Sequence, residues 1–100
     1  MSSFKIDKLT PSNYPVWRCI IESILFKANI DINTKAAAER TKAGDGKLED
    51  AVNYEALSII RTGVSREIIP IIAGEQDAVK TWIILENRFA AIDVEARWEK

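Results

Sequence analysis

The sequence predicts an all-helical fold, a compact bundle of four to five helices. Three observations carry this. Apolar residues recur at three-and-four spacing over most of the chain. Glycine, proline and helix-capping residues fall between those periodic segments, at positions that stop and restart helices. Alternating apolar–polar runs, the signature of half-buried strands, are weak throughout.

The opening residues 1–11 read as an extended arm. Phe4 and Ile6 alternate with Lys5 and Asp7. The run Thr10-Pro11-Ser12-Asn13 then supplies turn and cap chemistry, with Ser12 or Asn13 offering a side-chain oxygen to a free N–H of the first turn. Pro15 is tolerated there because first-turn N–H groups lack a helical partner. The first helix is expected to reach about Asn29. Tyr14, Trp17, Ile21, Ile24 and Ala28 make its stripe, widened by Val16, Cys19, Ile20 and Leu25. Arg18 and Glu22 stand four apart on the other side, as an exposed pair.

Residues 31–47 are expected to form a short or frayed helix and a mobile loop. Ala36-Ala37-Ala38-Glu39-Arg40 favours helix, and Gly44-Asp45-Gly46 breaks it. The next helix should span about Leu48 to Thr62. Leu48, Val52, Ala56, Ile59 and Ile60 lie on one face, and Glu49, Asp50 and Asn53 on another. Gly63 is its stop. Ser65 can cap a brief helix through Ile68 and Ile69, bent or shortened by Pro70 and ended by Gly74. Asp77 can cap the last strong helix, with Ala78, Trp82, Leu85 and Phe89 on one stripe. Ile92 to Lys100 read as the start of another helix or a linker with no stop signal, which leads us to expect a longer protein.

Composition narrows function. The chain has 100 residues, 47% of them apolar, with 14 basic and 15 acidic side chains for a net charge of −1. This is the composition of a globular domain, not of a dedicated nucleic-acid binder, which carries a basic excess. Histidine is absent, and with it the commonest general base and metal ligand. The lone Cys19 has no histidine to activate it and reads as a buried structural thiol. One cysteine and no histidine cannot make a zinc knuckle. Gly44-Asp45-Gly46-Lys47 fails as a phosphate loop, which would need glycine in place of Thr41 and a hydroxyl residue in place of Leu48. The longest apolar run, Ile68 to Ala73, is far short of a membrane span. The start lacks the apolar core of a signal peptide. No catalytic residue, cofactor or metal is therefore expected, nor a membrane partner, and a cytoplasmic setting is. The local basic excess, Lys35, Arg40, Lys42 and Lys47, reads as a solvated loop, with RNA contact as the sharper alternative.

Three pieces of the chain carry a resemblance. They are Lys8-Leu9 with Ser12-Asn13-Tyr14-Pro15-Val16-Trp17, then Ala56-Leu57-Ser58-Ile59-Ile60, and then Glu67-Ile68-Ile69-Pro70-Ile71-Ile72-Ala73-Gly74 followed by Ala78-Val79-Lys80-Thr81-Trp82-Ile83-Ile84-Leu85-Glu86-Asn87-Arg88-Phe89. In this order the sequence resembles the capsid (Gag) protein of copia-type LTR retrotransposons over about residues 6–90. The resemblance implies a retroviral or retrotransposon capsid N-terminal lobe at residues 1–90. Its copies would associate into a virus-like particle enclosing RNA, either in a mobile element or as a domesticated Gag-derived protein. It also implies a second capsid lobe, toward which residues 91–100 would lead. Tyr14, Trp17, Ile21, Ile24, Ile59, Trp82, Leu85 and Phe89 are expected to determine the fold. Phe4, Ile6, Arg18, Glu22, Lys35, Arg40, Lys42 and Trp98 are the candidates for an assembly or partner surface. The other reading is a monomeric helical adaptor that binds a peptide or protein.

Overall fold

The computed structural model describes residues 8–98, with side chains described through residue 90. Among the described residues five helices follow one another: α1 (Tyr14–Lys27), α2 (Ile32–Thr41), α3 (Asp50–Thr62), α4 (Ile69–Ile72) and α5 (Ala78–Trp98). The fold is all-α. The described residues include one isolated parallel bridge, Leu9 to Val64, and no longer strand. α5 is the central element, packed against each of the other four helices, and α1 also packs on α3.

Each helix begins and ends for a local reason. Asn13 occupies the N-cap of α1, yet its side chain makes no cap bond. It turns back instead: Oδ1 accepts from Thr10 N–H at 2.8 Å and Nδ2 donates to the Lys8 carbonyl at 3.0 Å. The expected cap is thus a staple on the incoming segment. That segment is tied down further by Leu9 N–H to the Gly63 carbonyl at 2.8 Å and Ser65 N–H to the Leu9 carbonyl at 3.3 Å. Leu9 is fully buried. α1 stops in a Schellman motif. Ile30 N–H donates to the Leu25 carbonyl and Asn29 N–H to the Phe26 carbonyl. Asn29 takes the left-handed conformation at φ 64°, and the buried Leu25 and Ile30 supply the apolar contact such stops carry.

α2 is a full ten-residue helix. Asp31 caps it by accepting from Thr34 N–H at 3.1 Å, and Ile32 and Ala36 enter the core. α3 starts at Asp50, two residues later than expected, and presents Ala56, Leu57 and Ile60 inward. Ile59, placed in the core by sequence, is half-buried at its edge, as is Ile24 on α1. Leu57 takes the interior position instead. Asn53, assigned to the polar face, bridges to α5: Oδ1 accepts from Ala78 N–H at 2.7 Å and Nδ2 donates to the Gln76 carbonyl at 2.9 Å. α4 is brief, four residues, and Pro70 sits in its first turn, where its missing N–H costs nothing.

Asp77 caps α5 as expected, accepting from Val79 and Lys80 N–H at 2.9 and 3.2 Å. Residues 91–98 continue α5 and do not open a new helix. Between Ala78 and Trp98 the sequence holds no glycine or proline to break it.

The aromatic residues form the centre of the core. Ring centroids of Tyr14–Trp17, Trp17–Trp82 and Tyr14–Phe89 lie 6.1, 6.1 and 6.2 Å apart, within the range of favourable tilted pairs. All four rings are buried. Trp17 also donates its indole N–H to the Gly63 carbonyl at 2.6 Å.

Candidate assembly surface

Two kinds of surface meet around α1. On one side its polar residues are drawn into a network that knits α1, α2 and α5. Arg18 donates to Glu22 at 3.3 Å, to Glu86 at 2.6 Å and to Asn33 Oδ1 at 3.1 Å. Its guanidinium lies 5.5 Å from the centre of the Trp82 ring, a cation–π distance. Asn33 also accepts from the Trp82 indole N–H at 3.2 Å and donates to Glu22 at 2.5 Å. Arg40 pairs with Glu86 from α2. Two arginines and two glutamates thus neutralise each other in a part-buried layer above the aromatic core. The expected exposed Arg18–Glu22 pair is instead part-buried and tied to α2 and α5. Holding those side chains in one arrangement is what the geometry does, while Glu22 and Arg40 keep about a third or more of their side chains open to solvent.

The sequence candidates separate accordingly. Tyr14, Trp17, Ile21, Trp82, Leu85 and Phe89 are buried in the core. Arg18, Glu22 and Arg40 belong to the network. Lys42 pairs with Glu39 at 3.4 Å, so two of the four residues of the basic segment are matched by carboxylates. Lys35 is half-buried. Phe4 and Ile6, and the side chain of Trp98, lie outside the described residues. Among the described residues, no group of three histidine, cysteine, aspartate or glutamate side chains could hold a metal ion. Nor is any described helix long and apolar enough to cross a membrane.

The other side of α1 is apolar and open. Phe26 is 79% exposed and Val16 65% exposed, and Cys19 is exposed rather than buried. The reason is angular. At about 100° per residue, Cys19 and Phe26 stand two and nine residues beyond Trp17, roughly half a turn away from the core stripe. Counting apolar residues on α1 without their phase put Cys19 inside. The same arithmetic could have singled out Phe26. Tyr54 on α3 is also 64% exposed. Beside Phe26 lies an open depression of about 280 Å³ between the end of α1 and the start of α2, bordered also by Glu22, Ile30, Asp31 and Ile32.

Two groups have shifted acidity. Burial raises the Tyr14 hydroxyl above its ordinary value, opposed in part by Arg18. Hydrogen bonds from the Thr34 side chain and backbone hold the Asp31 carboxyl below its ordinary value.

Compared with protein-family models, curated proteins and solved structures, the chain matches none.

Proposed function

We propose that this chain is a self-associating structural domain of the capsid (Gag) kind, a lobe whose copies build an intracellular particle around RNA. The observation that carries the reading is the ordered run of motif pieces from Lys8 to Phe89. Their residues support one unit of the all-α fold. Leu9 and Asn13 anchor the entry to α1, while Trp17 and Trp82 stack in the core with Tyr14 and Phe89 beside them. A shell needs a rigid lobe and weak contacts repeated by symmetry. The Arg18–Glu22–Asn33–Glu86 network supports rigidity, and the apolar outer side of α1 offers contact area. In this reading the protein has no catalytic role, and its partners are further copies, a second lobe and RNA.

Analytical ultracentrifugation of the protein as encoded in full, with negative-stain microscopy of fast-sedimenting species, tests this. Closed particles are expected. A protein that stays monomeric at high concentration, with and without RNA, would replace this reading with the adaptor one.

A further inference from the structure

We infer that the end of α1 and the start of α2 form a self-complementary two-fold contact, in which the Phe26–Lys27 knob of one copy enters the depression of a second. This names the interface of the self-association proposed above and rests on that reading.

Knob and depression lie side by side on one patch. Phe26 projects at the last turn of α1 and borders the depression it would fill on a partner. A protrusion and a hollow contiguous on one surface are what an isologous contact requires, because each copy then gives the knob and receives it. Ile30 and Ile32 line the depression from the core, where both are almost fully buried and so held in place. Its volume, about 280 Å³, leaves room for a benzyl side chain.

Charge favours the same occupant. Lys27 follows Phe26, is exposed, and among the described residues pairs with no carboxylate. Asp31 borders the depression and is exposed; its carboxyl accepts from the Thr34 backbone and side chain, and among the described residues no cation pairs with it. Glu22 on the same rim is already matched by Arg18, which leaves Asp31 as the carboxylate for the incoming Lys27. The two-fold makes this pair twice. A second copy therefore brings an aromatic side chain to the hollow and a cation to its rim from adjacent residues of the same patch.

The patch holds far fewer residues than the roughly 20–30 a side of a stable interface. The contact is therefore weak, with a dissociation constant on the order of 0.1–1 mM, as suits a contact multiplied in a shell.

The test is sedimentation equilibrium and amide NMR of the 100-residue chain from about 0.02 to 1 mM, in low and high salt. Concentration-dependent dimerisation is expected, with shifts concentrated at residues 22–33. Phe26→Ser should weaken it about tenfold or more without lowering the melting temperature, since the ring is exposed. Asp31→Asn keeps the capping oxygen and removes the charge. It and Lys27→Gln should each weaken dimerisation about threefold and flatten its salt dependence, and the double variant should be no worse than either single one. Tyr54→Ser should change nothing. A chain monomeric at 1 mM, a dimer indifferent to Phe26→Ser, or shifts centred elsewhere would overturn the inference. Particle formation by the full protein separates the two claims. Particles that survive Phe26→Ser sink this interface and leave the shell reading standing, while a wild-type protein that makes no particles sinks the shell reading itself.

Discussion

Trp17 joins α1, α5 and the end of α3, and its replacement gives the sharpest test of the core. It is 1% exposed, stacks on Tyr14 and Trp82, and donates to Gly63 at 2.6 Å. Burying so large a side chain, then truncating it to alanine, costs about 3–5 kcal/mol. Two lost aromatic pairs, each worth about 0.5–1.5 kcal/mol beyond area, place Trp17→Ala at the upper end of that range. The hydrogen bond adds little, because the Gly63 carbonyl keeps the Leu9 N–H at 2.8 Å and is not orphaned. Trp17→Phe should therefore cost about 1–2 kcal/mol, the net worth of one hydrogen bond plus some volume. A domain with about 5–15 kcal/mol of stability survives the second change and is left marginal by the first. At roughly 4–8 °C per kcal/mol, the melting temperature should fall by at least about 15 °C for alanine. Urea unfolding followed by far-ultraviolet circular dichroism reads both variants. Alanine within 1 kcal/mol of wild type would refute the core assignment. Phenylalanine as costly as alanine would refute the division between packing and hydrogen bond.

Other consequences can be measured in the same way. Asn29→Gly should raise stability by about 0.5–1 kcal/mol by relieving the left-handed strain at φ 64°, and Asn29→Ala should lower it; a loss with glycine would refute the role assigned to the α1 stop. Gly46→Ala should cost about 1–3 kcal/mol, because a Cβ there would meet the Glu39 backbone N and Cα at 2.9 Å; thermal melts decide, and a neutral result would mean that the 43–49 segment shifts freely. Gly63→Ala should destabilise too, since a Cβ there would meet the buried Ile21 at 3.0 Å and the hydrogen-bonded ring nitrogen of Trp17 at 3.2 Å; a melt equal to wild type would count against this. Stability should also depend on pH at two ends. The Asp31 contribution is present above the ordinary aspartate range and is lost as pH falls through its lowered folded value. The Tyr14 contribution is present below the ordinary tyrosine range and is lost as pH rises through its raised folded value. Asp31→Asn should flatten the acidic limb and Tyr14→Phe the basic one, and unchanged limbs would show that other groups set them.

The sequence by itself determined the helical class, the stripe of α1 from Tyr14 through Ile21, the α5 stripe from Ala78 to Phe89 and the Asp77 cap. These are local properties: periodicity and capping act within a few residues, and burial follows the stripe wherever the stripe is long. What was misjudged depended on contacts between segments far apart in sequence. Leu9 is buried because Gly63 and Ser65 offer it backbone partners, and no spacing within residues 1–11 records that. Asn53 looks like a surface residue until α5 brings Ala78 N–H to its side chain. Arg18 and Glu22 have the spacing of an exposed pair, and Glu86 and Asn33 tie them into a part-buried network between helices. The open side of α1 was an intermediate case. The phase of Cys19 and Phe26 against Trp17 is present in the sequence, but only tertiary structure decides that, among the described residues, no neighbouring helix covers that side. Helix periodicity gives a direction around one axis, whereas what lies in that direction is set by how five axes pack.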